Sequence, residues 1–271
     1  MLSTQALSAA QVRSALGVGP QVRLPAELNQ MCDEGRLLRD RPVAGWRDAR
    51  HTYRRFAEAL PEVKLNSCSP AEAAVLLAER YIAGYGPVKL DDVAWWTGLG
   101  VGRCRTALDE LSDRLAPVRV RGWDGEHFVL RADLDRLLQA SRSRRPQLSL
   151  LADLDPYTMG FRGRARLLDD AQHNLVYDRN GNATSVVLVD GRIAGVWDVI
   201  AERHEARFHR FGTLATAVEE RVRAELAEMG AFITGSAVTV RRVERMTPLT
   251  DRSAGWVRKP LHDRHRSEGG G

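Results

Sequence analysis

The stretch from Ser69 to Leu130 constrains the fold more than any other part of the chain. Ser69-Pro70-Ala71-Glu72 places a capping serine, a first-turn proline and a glutamate at the third helical position, and apolar residues recur at Ala73, Leu76, Leu77, Tyr81 and Ile82. This predicts a helix with a defined start, stopped by Gly84-Tyr85-Gly86-Pro87. Leu90 to Trp96 reads as a second short helix, Thr97-Gly98-Leu99-Gly100 as a turn, and Gly102 to Leu111 as a third helix. Beyond it, Val118 and Val120 alternate with arginines, Gly122-Trp123-Asp124-Gly125 makes a tight turn, and His127 to Leu130 returns as the partner strand. Helix, helix, turn, helix and β-hairpin, in that order, is the winged-helix plan. That plan serves DNA binding and also occurs in proteins that bind only other proteins. On the third helix Val101, Cys104, Leu108 and Leu111 fall at helical spacing and are expected inside, which leaves Arg103, Thr106 and Asp109 outward and Arg105 near the boundary. Arg103 and Thr106 are therefore the candidates to meet a major groove.

The same logic starts earlier in the chain. Ser8 to Leu16 reads as a helix capped by Ser8, with Ala9, Val12 and Leu16 on one side; Leu24 to Gly35 reads as a second, with Leu24, Leu28, Met31 and Cys32 inward and Gly35 as its stop. A strand at Leu37-Leu38 and another at Thr52 to Phe56 then flank a Gly45-Trp46 turn. Between Arg36 and Arg55 the chain supplies Arg39, Arg41, Arg47, Arg50 and Arg54, relieved only by Asp40 and Asp48. Such a run is commonly a solvated face, but guanidinium forks suit phosphate oxygens, and the segment reads as a basic wing. A winged-helix unit normally has a helix before the two found here, and Met1 to Leu7 is too short to supply it.

After the hairpin, Ala132 to Ala140 reads as a helix with Leu134, Leu137 and Leu138 inward, and Ser141-Arg142-Ser143-Arg144-Arg145-Pro146 as an exposed basic linker. Leu148 to Leu154 is apolar and ends in the turn Asp155-Pro156-Tyr157. The glycine and arginine alternation from Gly160 through Arg162, Arg164 and Arg166 suits a flexible loop touching phosphates, although it lacks the glycine fingerprint of a nucleotide site. The clearest β signal follows: Ala183 to Val189, the hairpin turn Asp190-Gly191, and Arg192 to Val199, with Asn180-Gly181 marking a turn upstream. A third strand is expected near Ala206 to Phe211, a helix from Thr213 to Met229 closed by Gly230 and striped by Leu214, Val218, Val222, Leu226 and Met229, and an edge strand at Val238 to Val243. One helix on one face of an antiparallel sheet makes a small α+β domain. The chain beyond Arg258 is expected to be disordered.

At 271 residues, with 44% hydrophobic and 28% charged residues, the chain can bury a core and divide into two or three compact units. A formal charge of +5 permits a nucleic-acid partner. The N-terminus shows no secretory pattern and no run is apolar and long enough to span a bilayer, so a cytoplasmic location without a membrane partner is expected. Cys32, Cys68 and Cys104 are widely spaced and lack metal-ligand spacing, so three reduced, mostly buried thiols are expected, with no metal and no cofactor. No Gly-x-Ser-x-Gly, His-Glu-x-x-His, phosphate-binding loop or distinctive carboxylate pair is present. Asp153 and Asp155 suit a turn, and His173, His204 and His209 suit surface or hydrogen-bonded structural roles.

Four segments in order carry a family likeness: Arg80 to Pro87 (RYIAGYGP), Asp92 to Leu99 (DVAWWTGL), Leu154 to Arg162 (LDPYTMGFR) and Val189 to Trp197 (VDGRIAGVW). They resemble the AlkZ-type DNA glycosylases, a bacterial winged-helix family, and the likeness extends from about Ala9 to Leu249. The resemblance implies tandem winged-helix units with a β-rich C-terminal region, double-stranded DNA as partner, and metal-independent excision of bulky alkylated bases with unhooking of interstrand crosslinks. It also implies a catalytic Gln-x-Gln or Gln-x-Asp in a first winged-helix unit. None of Gln5, Gln11, Gln21, Gln30, Gln139, Gln147 or Gln172 fits that pattern, so no catalytic residue is assigned. An absent N-terminal segment would explain both the missing helix and the missing motif.

The fold class expected is α+β: tandem winged-helix units followed by a small antiparallel sheet domain with a packed helix. Its divisions are an N-terminally incomplete unit at 1–65, a second unit at 66–140, a basic linker at 141–150, an α+β domain at 151–257 and a tail at 258–271. The function expected is duplex binding in DNA repair by a monomer, with a non-enzymatic transcription regulator as the alternative. Candidate DNA contacts are Arg36, Arg39, Arg41, Arg47, Arg50, Arg103, Thr106, Arg162, Arg164 and Arg166.

Overall fold

The computed structural model describes residues 5–44, 48–65, 67–140 and 145–251. Trp46 and Arg47, the linker residues Ser141 to Arg144 and the tail beyond Arg258 lie outside them. The chain forms two compact units, Met1–Pro70 and Ala71–Gly271.

In the first unit, strand β1 (Leu7–Ser8) leads into helix α1 (Ala9–Leu16), followed by α2 (Leu24–Asp33), β2 (Leu37–Pro42), β3 (His51–Arg55) and a single turn, α3 (Phe56–Ala59). Ser8 caps α1 as its sequence implies: Gln11 N–H donates to Ser8 Oγ while Ser8 N–H donates to Gln11 Oε1 at 2.8 Å, so two end donors satisfy each other. The three strands are antiparallel in the order β1-β3-β2. Val12, Leu24, Leu28, Leu37 and Tyr53 form the core, with Met31 and Cys32 partly buried against it. Leu16, expected on that inner side, is 56% exposed. Beside this small core an apolar groove of about 750 Å³ remains, lined by Leu7, Leu16, Leu28, Phe56, Val63 and Leu65 among others.

The second unit begins with three helices, α4 (Pro70–Tyr85), α5 (Leu90–Thr97) and α6 (Val101–Glu110), and the hairpin β4 (Leu115–Val118) and β5 (His127–Leu130). Alpha-helix α4 buries Ala74, Ala78, Tyr81 and Ile82, one continuous i, i+4, i+7, i+8 stripe. Leu76 and Leu77, expected inside, point away from that stripe and are 49% and 36% exposed. Next come α7 (Leu134–Gln139), β6 (Leu148–Leu151), α8 (Pro156–Met159), α9 (His173–Val176), β7 (Val186–Val189), β8 (Arg192–Ile200), β9 (Glu205–Arg210), α10 (Thr216–Thr234) and β10 (Thr239–Arg242). Leu137 and Leu138 on α7 were also expected inside and are exposed, because this helix is too short to bury a full stripe.

Five strands form one sheet in the order β10-β9-β8-β7-β6, antiparallel except for the parallel pair β10-β9. The β7-β8 turn is Asp190-Gly191, both at positive φ (49° and 80°), as a two-residue hairpin connection requires. The sheet is covered on one face by α10, through Val222 and Leu226 on Trp197, Ala206 and Phe208. Its other contacts join the helical half: one buried cluster contains Tyr81, Ile82, Val93 and Leu111 together with Phe161, Leu167, Tyr177, Val186 and Val196. Helix α10 starts and stops later than Thr213 and Gly230 suggest, running from an N-cap at Ala215 to Gly235 at φ 76°. Gly230 instead lies within the helix, where a Cβ would meet Val238, so its small size serves packing and not termination. Of the three cysteines, all free, Cys104 is buried, Cys32 half-buried and Cys68 exposed, which corrects the expectation of mostly buried thiols.

The described architecture is mixed α+β, with helices and mainly antiparallel sheets. Few buried residues and an open apolar groove give the first unit the smaller reserve against local opening. Amide hydrogens in α1, α2 and β3 are therefore expected to exchange faster than those of α4, α6 and β5. Equal protection in a monomeric sample would show instead that the first unit closes its core as it stands.

Candidate nucleic-acid interface

Helix α6 is set by Gly100 at its N-cap and by Cys104, Ala107, Leu108 and Leu111, which are buried in the second unit. Val101, expected with them, is 44% exposed, because the first helical turn projects beyond the core. The opposite face carries Arg103, Arg105, Thr106, Asp109 and Glu110, all exposed. Thr106 Oγ1 is turned back onto the Gly102 carbonyl at 3.3 Å. The hairpin that follows exposes Arg119 and Arg121 in its turn. Among the described residues none of Arg103, Arg105, Arg119 and Arg121 meets a carboxylate, and four unneutralised guanidiniums favour a polyanion.

The loop that carries Arg162, Arg164 and Arg166 differs from the flexible phosphate-touching segment suggested by its sequence. Arg164 donates to the Thr158 carbonyl at 2.7 Å and lies 4.6 Å from the centre of the Tyr177 ring and 5.6 Å from that of Trp95. Arg166 donates to the Pro87 carbonyl at 3.0 Å and lies over Phe161 at 3.9 Å and Trp123 at 4.1 Å. Burial lowers the proton affinity of both guanidiniums, opposed by Tyr177 for Arg164 and by Asp92 for Arg166. Only Arg162 of the three is exposed, and it pairs with Asp91 at 3.1 Å. The same burial raises the Tyr177 hydroxyl to about 12, so it stays protonated and donates to the Thr158 carbonyl at 2.9 Å.

Asp92 organises this loop from α5. It is 5% exposed; Oδ2 accepts the Lys89 N–H at 3.1 Å, Oδ1 accepts the Arg162 N–H at 2.9 Å, and Arg166 Nη2 stands 3.9 Å away. One carboxylate thus caps a helix start and fixes a loop 70 residues later.

These parts line a polar, half-open cavity of about 750 Å³ whose walls come from the start of α5 (Lys89, Asp91, Asp92), the hairpin turn (Arg121 to Asp124, then His127), the loop (Arg162, Gly163, Ala165, Arg166) and Arg192 of β8. His127 is 2% exposed, its Nδ1 makes no hydrogen bond among the described residues, and its ring centre lies 5.3 Å from that of Trp123. Burial, then Lys89 and Arg166, lower its pKa, outweighing the Gly125 backbone and Asp92, so the ring is neutral at pH 7. A buried nitrogen without a partner costs about 1–3 kcal/mol, which gives the site a standing demand for one. Trp123, His127 and Asp92 escaped sequence reasoning. A tryptophan set between the two glycines of a hairpin turn was the one local signal pointing to them.

The arginines of the first unit are largely committed to neighbours. Arg36 pairs with Glu34 at 3.5 Å, Arg39 donates to Asn29 Oδ1 at 2.9 Å, Arg54 pairs with Asp40 at 3.2 Å and Arg55 with Glu58 at 2.9 Å. Arg50 donates to Asp48, whose carboxyl is held down at about 2 by that side-chain bond and by the Arg50 N–H. Arg41 is exposed, and only its backbone is bonded among the described residues, to Thr52. Arg47 lies outside the described residues.

A three-helix array leading into a β-hairpin, sharing a core with a five-stranded sheet, defines the class as an α+β protein with an arginine-bearing outer helix face. The chain belongs to the AlkZ-like DNA glycosylase family, whose "DNA glycosylase AlkZ-like" description matches residues 1–232. It is similar to an interstrand DNA cross-link repair glycosylase of Streptomyces sahachiroi, 27% identical over 135 residues, 48% of this chain and 35% of that protein. The solved structure of Streptomyces sahachiroi DNA glycosylase AlkZ has the same fold, with a TM-score of 0.66 at 20% identity, covering 89% of this chain and 66% of that one. The matched region thus spans about a third of the curated relative's length.

Removing the Asp92 carboxylate leaves the Lys89 and Arg162 backbone donors without their acceptor and Arg166 without its nearby counter-charge. Asp92→Ala is expected to lower unfolding stability by about 3 kcal/mol, and Asp92→Asn by less because its amide oxygen still accepts one N–H. Urea unfolding followed by fluorescence checks this, and a loss under about 1 kcal/mol for the alanine variant would remove Asp92 from the organising position.

Proposed function

We propose that this chain binds duplex DNA in the manner of a repair glycosylase, through backbone contacts made by tandem winged-helix units. The observation that carries the reading is the set of exposed, carboxylate-free arginines on the outer face of α6 and in the following hairpin turn. Phosphate contacts of this kind position a protein on DNA without reading its sequence. The element order supports two winged-helix units, near 1–65 and 66–140: helices followed by a hairpin occur in both, α1-α2-β2-β3 and α4-α5-α6-β4-β5. The remainder, about 151–257, is read as the C-terminal sheet domain beyond a linker near 141–150, with a tail at 258–271. The relatives' names, an interstrand cross-link repair glycosylase and a DNA glycosylase, make damaged duplex the substrate class to test. A bacterial, cytoplasmic, monomeric protein needing neither metal nor cofactor belongs to the same reading.

On this reading the exposed Arg103, Thr106 and Arg41 are the direct DNA contacts, and Arg36, Arg39, Arg50 and Arg162 contact it only by exchanging their present partners. Arg164 and Arg166 act by holding the loop.

Duplex affinity is expected to fall with salt, and the log-log slope to drop by about one unit for each phosphate contact removed. Arg103→Gln with Arg105→Gln should lower the slope by about two units, whereas Arg39→Ala with Arg41→Ala should lower it by about one, Arg39 being held by Asn29. An unchanged slope in the first pair would take α6 out of the interface. Strong preference for one intact sequence over lesion-bearing duplex would turn the reading towards a transcription regulator.

As it stands the chain is expected to form no abasic sites on alkylated or crosslinked duplex in single-turnover assays. The catalytic Gln-x-Gln or Gln-x-Asp that the family resemblance implies is missing from it, and general acid–base help is typically worth about 100-fold or more. Robust base release by the purified chain would place a hydrolytic group among residues not considered catalytic above.

A further inference from the structure

The α6 arginines leave the polar cavity of the second unit without a role. Its described lining carries five cations, Lys89, Arg121, Arg162, Arg166 and Arg192, against three carboxylates. Two of those carboxylates are occupied, Asp91 by Arg162 and Asp92 by two backbone N–H groups. Arg162, Arg166 and Arg192 likewise have partners within the chain, the last Asp169 at 2.7 Å. Lys89 and Arg121 meet no carboxylate among the described residues, and both face the cavity. At its wall the buried His127 Nδ1 makes no hydrogen bond among the described residues. Buried polar atoms in folded proteins are paired nearly always, and a buried N–H beside unneutralised cations suits an anionic acceptor.

We propose that this cavity seats one phosphate group, with His127 Nδ1–H as its inner hydrogen-bond donor and Lys89 and Arg121 as its cationic partners. On the duplex-binding reading, on which the source rests, the phosphate is one of the DNA backbone; the seat itself requires only a phosphate oxygen array. The geometry suits that ligand. The Gly122-Trp123-Asp124-Gly125 turn brings Arg121 and His127 to one cavity, and glycine at 122 and 125, with φ of 82° and 77°, lets the chain double back there. Trp123 is held from one side by the Arg166 guanidinium, so the wall next to His127 is fixed before any ligand arrives. A neutral imidazole donates one N–H to an anion without itself needing a counter-charge, and entry of the anion offsets the fields of Lys89 and Arg166 that now disfavour ring protonation.

The test follows the ring nitrogen chemical shifts of labelled histidines in the full chain during titration with inorganic phosphate and, separately, with a short duplex. The proposal expects the His127 resonances to move in both titrations, saturating with duplex at far lower concentration. His127→Gln and Lys89→Gln, each first checked for a native melting profile, are expected to weaken duplex binding about fivefold. Lys89→Gln keeps the test open if the buried histidine variant fails to fold. Tight duplex binding with unmoved His127 resonances would overturn the phosphate seat and leave the duplex reading standing. Movement with inorganic phosphate in a chain that binds no duplex would uphold the seat, assign it to a free phosphoester and overturn the duplex reading. No movement in either titration would overturn the proposal.

Discussion

The second unit depends on two arginines buried among aromatic rings. Arg164 and Arg166 enter the space between the helical array and the sheet, each donating to a main-chain carbonyl and each lying against two rings. Around them Tyr81 donates to the Gly160 carbonyl at 2.7 Å, Trp95 to that of Met159 at 3.2 Å and Tyr177 to that of Thr158 at 2.9 Å. Segment 158–166 is thereby stitched to α4, α5 and the residue that ends α9 by donors that all reach backbone acceptors. Guanidinium suits the position: it stays charged, stacks flat on aromatic faces and still offers donors in its own plane. A lysine there would keep the charge and lose both the stacking and the fork.

This division of labour among basic residues changes what the positive balance of the chain means. Arginine is the residue for phosphate and also the residue for buried struts, so a run of arginines in a sequence is consistent with either use. The structure separates them by partner. Arg207 pairs with Asp198 at 2.9 Å, and Arg210, Arg223 and Arg242 all converge on Glu219, which ties α10 to β9 and β10. Those cations bind the sheet domain together and have little charge left to offer. Arg103 and Arg105 on α6 and Arg119 and Arg121 in the hairpin turn, by contrast, are exposed and meet no carboxylate among the described residues.

Sequence made the local features legible and missed the tertiary ones. Ser8 as a cap, Asp190-Gly191, the buried stripe Cys104, Leu108 and Leu111 and the pair β7-β8 were readable because each is decided within a few residues by capping, turn chemistry or periodicity. Leu76, Leu77, Leu137 and Leu138 misled because apolar spacing does not say which of two available faces a core will take. Gly230 misled for a related reason: a glycine that admits Val238 from another segment looks, in sequence, like a glycine that ends a helix. The loop of Arg162 to Arg166 reads as flexible until Phe161 and Leu167, buried at either side, are seen to anchor it.

The cavity shows the same limit at the level of a site. Its walls come from four segments between Lys89 and Arg192, and no spacing along the chain announces that they meet. What joins them is Asp92, a residue whose sequence context suggests only a helix start. By accepting the Lys89 N–H and the Arg162 N–H together, it fixes the beginning of α5 against the arginine loop, and Arg166 then carries that position on to Trp123 in the hairpin turn. A shift of the hairpin is thus resisted by a chain of contacts that begins at a buried carboxylate. The rigidity matters for the duplex binding proposed above: exposed arginines on a fixed hairpin turn present their charge in one arrangement, which would lower the ordering cost of such binding.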